Sequence, residues 1–359
     1  MRAWMLDEEG AGVRVADVAE PQVKGGGAVL TVLAAHVPGY TGVLTTGARG
    51  MLPTPLVLGP ACVGRVVSVA EDVFNVAPGD VVLDTGLLLS GSLDEPEELI
   101  VGWTGIGGRG EATPTVDAMR KAWPDGTFAE RALRPASLLV RLPGAEEHGE
   151  FARLAFLGWL ALAVEALERA GQRAGDEVAV VGGSGQLGGA VVLAALARGA
   201  SRVVALGRNP ASLARVAGVD PRVATVNLSG QRAADTAAVL ATGGEVDVVI
   251  DALGAVPTID ATMSGLDALR TDGTMVLLGG VRHDLAINYS DLVHRRLTLR
   301  GSWMAPPSAV QQAWRAVRSG LIDLSVLQVT TAGLEDPAAA LETAAATSGL
   351  GYLALVPGT

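Results

Sequence analysis

The feature that most constrains this chain is a glycine turn between an apolar strand and a helix. Val178-Ala179-Val180-Val181 is a short, largely β-branched run; Gly183-Ser184-Gly185-Gln186-Leu187-Gly188 follows, and an Ala- and Leu-rich segment continues to Gly199. β-Branched residues favour extended backbone, glycines permit a sharp turn, and Ala and Leu favour helix. Strand, turn and helix in that order bring backbone N–H groups at a helix N-terminus against a dinucleotide pyrophosphate. The spelling alone is weak, because with 47 glycines in 359 residues three fixed glycines match by chance roughly once. A second match, Gly105-Ile106-Gly107-Gly108-Arg109-Gly110, is followed by Thr113-Pro114 instead of a helix and reads as a glycine-rich loop.

Support for the first match lies downstream. A second β-type run, Arg202 to Leu206, leads into Gly207-Arg208-Asn209, and Gly207 lies 24 residues after Gly183 (207 − 183). An Asp or Glu there would accept from the ribose 2′-OH of NAD and repel a 2′-phosphate. The acid is absent and an arginine comes next. A guanidinium binds phosphate through paired charge-assisted hydrogen bonds, so the swap favours NADP over NAD. The alternative reading of Arg208 is an ordinary solvated charge after a strand. Further β-type runs at Val246–Ile250 and Thr274–Leu278, with helical segments between, continue a βα rhythm. That rhythm predicts an α/β fold with a doubly wound parallel sheet.

Composition excludes several partners. Lys plus Arg number 27 against 38 Asp plus Glu, for a net charge of −11, which argues against nucleic acid or an anionic membrane. The first ten residues lack the basic start and apolar core of a signal peptide, and no apolar segment is long and unbroken enough to span a bilayer, so a cytoplasmic location is expected. The single cysteine, Cys62, excludes an intrachain disulfide and a Cys-rich structural zinc site. The length suits two domains.

The first 150 residues have a different rhythm. Short β-type runs at Ala28–Leu33, Gly64–Val69 and Val81–Leu83 are separated by Gly and Pro, with the turn Pro78-Gly79-Asp80 between two of them. They predict a twisted, mostly antiparallel barrel. Residues 86–126, rich in Gly, Pro and acids, read as an irregular surface lobe. A helix is expected from Phe151. After Gly301, helices near 307–319 and 335–347 and strands near 326–330 and 352–356 are expected to return to the first domain.

Over nearly its whole length the chain resembles the medium-chain dehydrogenase/reductases, which include alcohol dehydrogenases and quinone oxidoreductases. The resemblance is carried by Leu58-Gly59-Pro60-Ala61-Cys62-Val63-Gly64-Arg65-Val66, Ala77-Pro78-Gly79-Asp80, Asp125-Gly126-Thr127-Phe128-Ala129-Glu130, the glycine turn and Gly273 to Val281, in that joint order. It implies a GroES-like β-barrel catalytic domain from residues 1–152 and 305–359, a Rossmann NADP-binding domain from 153–304, and an active site in the cleft between them. It also implies a homodimer formed through the nucleotide domain's edge near Leu297 to Met304. In such relatives the loops at Leu253-Gly254 and Gly279-Gly280-Val281 touch the nicotinamide half. Trp159, Trp303 and Met304 are expected to line an apolar substrate pocket, although Trp159 reads equally well as helix core.

The departures from the family pattern decide the expected mechanism. Zinc-dependent members hold the catalytic metal with a Cys, a His-Glu pair and a later Cys; by local spacing these correspond to Pro38, Pro60 and, less securely, Gly158. None offers a ligand. The structural-zinc cysteines are missing from 86–126 as well, so the resemblance implies a member without zinc, close in chemistry to quinone and enone reductases. Cys62 reads as core packing, and His36 as a structural residue with the capacity to titrate. Asp84 follows a strand and carries no assigned role. Tyr40 falls where zinc-dependent relatives place the hydroxyl of their proton relay. Its phenol is the candidate donor to a developing oxyanion or enolate, with Thr41 as an assisting donor; packing, or contact with the ribose, is the competing reading.

Two other enzyme classes fail on the residues. The only lysines, Lys24 and Lys121, lie outside any phosphate-loop pattern, and Ser184 lacks the second glycine of a hydrolase elbow. The expected function is NADPH-dependent, zinc-independent hydride transfer to an enone, quinone or ketone. The alternative is a nucleotide-binding protein of the same fold without redox turnover.

Overall fold

The computed structural model describes residues 1–48, 52–104, 112–148 and 150–358. The second glycine match at 105–110 lies outside the described residues. The chain divides into two compact units. Met1–Gly158, Val329–Thr347 and Tyr352–Thr359 form the first; Trp159–Gln328 and Ser348–Gly351 form the second.

The second unit carries the expected parallel sheet. Its six strands lie in the order Val223–Asn227, Arg202–Gly207, Glu177–Val181, Val246–Asp251, Leu269–Leu277 and Thr298–Gly301, and every neighbouring pair is parallel. In chain order this is 3-2-1-4-5-6, the doubly wound arrangement whose crevice opens beside the first strand. Val178–Val181 and Val203–Leu206 are wholly buried, which is why those runs are continuously apolar and not alternating. Val181, Leu206, Val249, Met263, Leu266 and Met275 share one core.

The 305–319 region departs from the expected boundary, because it folds with the second unit. Ala309, Val310, Ala313, Trp314 and Val317 of the helix Pro307–Arg318 are buried along one face. That spacing is the stripe a helix needs to pack on neighbours. Gln312 and Ala316 share a groove with Val164 of the helix Leu157–Ala170 and with Ala194 and Ala197 of Gln186–Ala197.

In the first unit the longest strand, Gly27–Val37, organises the antiparallel sheet. It pairs with Val63–Val69 on one side; on the other, Arg131–Pro135 covers its first half and Gly351–Leu355 its second. Two register shifts bend it along the way. A separate three-stranded sheet joins Arg14–Asp17, Arg2–Leu6 and Leu56–Val57.

The lobe expected to be irregular contains regular structure. Leu87–Leu89 pairs with Glu98–Ile100, and a helix runs over Pro114–Ala122. Thr113-Pro114, expected above to stand in place of a helix, instead opens one: the Thr113 side chain caps it by accepting from the Val116 N–H, and Pro114 occupies the first turn. Leu99, Val101, Val116 and Leu138 form a small apolar core there, with Leu88, Met119 and Trp123 against it. Apolar packing thus holds the lobe in which zinc-dependent relatives carry cysteines.

Candidate functional site

The glycine turn is built by backbone contact. At the end of Glu177–Val181 the Gly182 and Gly183 N–H groups both donate to the Leu206 carbonyl, at 3.0 and 2.7 Å, and Gly185 N–H donates to the Gly182 carbonyl at 2.8 Å. Gly182 has φ +87°, a conformation in which a side chain is strained. Added Cβ atoms would stand 2.7 Å from the Ala205 side chain at Gly183 and 2.2 Å from the Gly182 carbonyl oxygen at Gly188. The turn therefore needs Gly182, one position before the expected first glycine, in addition to Gly183 and Gly188. The position of Gly182 directly after the apolar run was the signal. Gly185 is the N-cap of Gln186–Ala197 and Leu187 lies in its first turn; the Gln186 amide reaches the Gly351 carbonyl at 3.0 Å.

Gly207 closes the same corner. A Cβ there would lie 2.3 Å from Ser184 Oγ. An acidic side chain is excluded at 207 by packing, whatever the cofactor, so the absent acid carries less information than the pattern suggested. Arg208 is exposed and makes no ion pair with a described residue. Asn209 caps the helix Pro210–Ala217 by accepting from the Ser212 N–H, and its amide nitrogen lies 3.4 Å from Ser348 Oγ. Ser348 Oγ is 2.7 Å from Ser212 Oγ, which accepts from Arg215 at 3.0 Å. The sequence reading missed this hydroxyl cluster, because Ser348 comes from a distant return segment.

The next two strand ends are tied by one residue. Asp251 is buried; its carboxylate accepts from the Leu253 N–H at 2.9 Å and from the Thr262 hydroxyl at 2.6 Å. Its carbonyl accepts from the Leu278 and Gly279 N–H groups at 2.9 and 2.8 Å, and Gly280 N–H donates to the Leu253 carbonyl at 2.7 Å. Burial pushes the Asp251 carboxyl above its ordinary value, and the Thr262 and Leu253 hydrogen bonds oppose that. Gly279 is forced, since a Cβ would meet the Leu253 oxygen at 1.9 Å. Gly254 and Val281 flank this junction. Trp159 is half-buried in its helix, Met304 is half-buried with φ +54°, and Trp303 is 46% exposed.

The first unit brings together the other candidates. Tyr40 is half-buried at the N-cap of Thr41–Thr45, its ring edge-on to Trp103 at 6.3 Å. Thr41 is wholly buried and its hydroxyl donates to the Pro38 carbonyl at 2.6 Å. That proton braces the turn, which removes Thr41 as an assisting donor. His36 stacks edge-on against Tyr352 at 5.1 Å and Phe156 at 6.4 Å. The Tyr352 hydroxyl donates to the Ala152 carbonyl, and burial holds it protonated far above the usual phenol range. Cys62 is 2% exposed; burial and then the nearby Asp84 push its thiol well up, with Arg134 opposing.

The expected ligand positions give a metal nothing to bind. Pro38, Pro60 and Gly158 carry no donor atoms in their side chains, and among the described residues no three His, Cys, Asp or Glu side chains converge. The residues at those expected positions do not fit catalytic zinc. Also among the described residues, no helix is long and apolar enough to cross a membrane.

Residues 187–319 match the family model described as zinc-binding dehydrogenase. A Mycobacterium tuberculosis protein named "Probable zinc-binding alcohol dehydrogenase" is 30% identical over 373 residues, spanning 97% of this chain and 86% of that one. The 5-exo-hydroxycamphor dehydrogenase of Pseudomonas putida is 26% identical over 306 residues, 80% of each chain. A protein described as a zinc-binding dehydrogenase from Sinorhizobium meliloti 1021, bound to NADP, superposes with TM-score 0.78 at 23% identity over 99% of both chains.

Proposed function

The chain belongs to the medium-chain dehydrogenase/reductase superfamily of NAD(P)-dependent oxidoreductases, and from that premise we propose a zinc-independent enzyme that transfers hydride from NADPH to a carbonyl-containing small molecule, an enone, quinone or ketone. What supports this reading is chemical: the glycine turn is fully built, while the positions that the family resemblance gives to metal ligands, Pro38, Pro60 and, less securely, Gly158, carry no donor side chain.

In this reading the turn residues 183–188 receive the pyrophosphate at the start of Gln186–Ala197. Gly207, Arg208 and Asn209 face the adenosine end, and the exposed Arg208 guanidinium takes the 2′-phosphate. Leu253, Gly254, Gly279, Gly280 and Val281 contact the nicotinamide half, held by Asp251. NADPH supplies the hydride. Tyr40 donates the proton as charge develops on the acceptor oxygen, and Trp159, Trp303 and Met304 contribute apolar surface. A cytoplasmic homodimer is part of the same proposal; the edge position of Thr298–Gly301 in the sheet supports pairing with a second copy.

The test is NADPH oxidation followed optically across a panel of quinones, enones and ketones, repeated with NADPH deuterated at the transferred position. Turnover with a deuterium effect supports the reading. NADPH binding without oxidation on any acceptor would favour the non-redox alternative. The same preparation should contain no stoichiometric zinc and keep its activity in chelator; one tightly bound zinc per chain would overturn the zinc-independent mechanism.

A further inference from the structure

Five consecutive carbonyls in the first unit, Leu58 to Cys62, each accept a hydrogen bond. Phe128 N–H donates to Leu58, Thr127 N–H to Gly59, the Thr127 hydroxyl to Ala61 and Asp84 N–H to Cys62, at 2.7, 2.9, 2.9 and 2.9 Å. Pro60 is served by a side chain, the Arg134 guanidinium at 3.2 Å, whose other amino group donates to the Asp125 carbonyl at 2.9 Å. Arg134 and Asp84 are both 0% exposed, and Arg134 Nε lies 2.5 Å from Asp84 Oδ2, an ion contact off the linear hydrogen-bond direction. Asp84 Oδ1 in turn accepts from Gly86 N–H at 2.9 Å.

This segment has a second set of neighbours. Gly59 N–H donates to the Gly102 carbonyl at 3.1 Å, and a Cβ on Gly102 would stand 2.6 Å from the Gly59 oxygen. Trp103, the next residue, packs on Tyr40 on one side and on Phe128, at 6.4 Å, on the other. A route of contacts and chain neighbours runs from the ion pair through Pro60 and Gly59 to Gly102, and from Trp103, the next residue, to Tyr40.

We propose that the buried Asp84–Arg134 pair is a positioning device: it clamps the Leu58–Cys62 strap, which sets Trp103 and so the placement of the Tyr40 ring. A buried ion pair is a poor way to gain stability, because desolvating both charges offsets much of their attraction, and apolar pairs of similar size often serve the fold as well. Here Arg134 reaches two main-chain carbonyls that an apolar pair would leave unserved. The catalytic consequence rests on the proposed role of Tyr40; the mechanical one does not.

The test is the full-length double variant Asp84→Val/Arg134→Met, which removes both charges together and leaves neither buried alone. Hydrogen exchange is read at the Leu58 and Gly59 amides, and alkylation at Cys62, the sole thiol. Local opening should raise both rates by about tenfold or more, with exchange in 178–190 unchanged. Turnover should fall while NADPH affinity and the acceptor KM hold. A folded double variant with parental exchange would overturn the proposal; where Tyr40→Phe lowers turnover, faster exchange with unchanged turnover would overturn it too, since the strap would then serve the fold alone. Should the double variant fail to fold, Arg134→Lys keeps the charge but can serve fewer acceptors, and parental exchange in that protein is equally decisive against it. A parent that oxidises no NADPH with any acceptor defeats the proposed activity, and the exchange result still judges the strap.

Discussion

The turn after Val181 and the strap Leu58–Cys62 are both close-packed backbone, but they are held by different means. In the turn, glycines meet main chain or the smallest side chains: Gly188 against the Gly182 carbonyl, Gly183 against the Ala205 methyl, Gly207 against the Ser184 hydroxyl. Its geometry follows from the absence of side chains. The strap is held by donors that arrive from residues 84, 127, 128 and 134, one of them a buried guanidinium. A binding surface for a dinucleotide can be made largely from backbone N–H groups. Placement of a reacting group depends on particular side chains, and it is there that the proposed function sets this chain apart from zinc-dependent relatives.

The contrast makes its largest prediction at Gly188. In Gly188→Val the new Cβ would press on the Gly182 oxygen, so the turn must open. The expected cost is above about 4 kcal/mol of stability, in the range reserved for severe steric change, with NADPH binding lost. Thermal melting and cofactor titration would check it; parental values would break the claim that glycine contacts make the turn.

Tyr40→Phe comes next and probes the side-chain half of the comparison. Turnover should drop by about 10²–10⁴-fold, the contribution of a positioned general acid, with NADPH affinity kept. A rate within about threefold of the parent, far below that range, would remove Tyr40 as the acid and leave it a packing residue against Trp103.

Arg208→Ala tests whether one side chain adds specificity to a backbone-made site. NADPH binding should weaken by about 1.5–3 kcal/mol, the range for a hydrogen bond to a charged group, while NADH binding barely moves. Equal losses for both cofactors would mean that Arg208 reads no 2′-phosphate. Gly207→Asp is no substitute for this experiment, because the clash with Ser184 would damage both.

The smallest effect is expected for Asp251→Asn, which sharpens the comparison by changing charge and little else. Burial raises the folded carboxyl pKa above its unfolded value, so the folded state holds that proton to higher pH than the unfolded chain. The parent should therefore lose stability as pH rises from the ordinary carboxylate range through the raised value. The Asn variant should show a flatter profile over that window and lie within about 1 kcal/mol of the parent at neutral pH, since an amide can still accept from Leu253 and donate to the Thr262 oxygen. Melting temperature against pH would decide it; identical profiles would mean that the Asp251 charge costs the fold nothing.

How much was legible follows the same division. Glu177–Val181, Arg202–Gly207 and Val246–Asp251 could be read because strands buried on both faces are mostly apolar, the charges here being confined to Glu177, Arg202, Asp247 and Asp251. The helix at Pro114–Ala122 was written in plain terms, an N-cap Thr followed by Pro, yet was hidden by the glycine-rich stretch before it. Gly182 was missed by one position because a strand's end and a turn's beginning cannot be separated by composition. Thr41 was chosen for its hydroxyl, and only the fold shows that the proton is committed to Pro38.

By itself the sequence determined the strand-turn-helix unit and the parallel βα order, because each depends on residues close in the chain. The tertiary structure alone decided that helix 307–318 joins the nucleotide unit, that Ser348 meets Ser212, and that Arg134 reaches Asp84 and Pro60. Those contacts join residues tens to more than a hundred positions apart, and a single Arg, Asp or Ser carries no mark of its partner. Which partner it finds is settled by burial: a charge that cannot reach water must find its opposite or a carbonyl wherever the packed chain brings one.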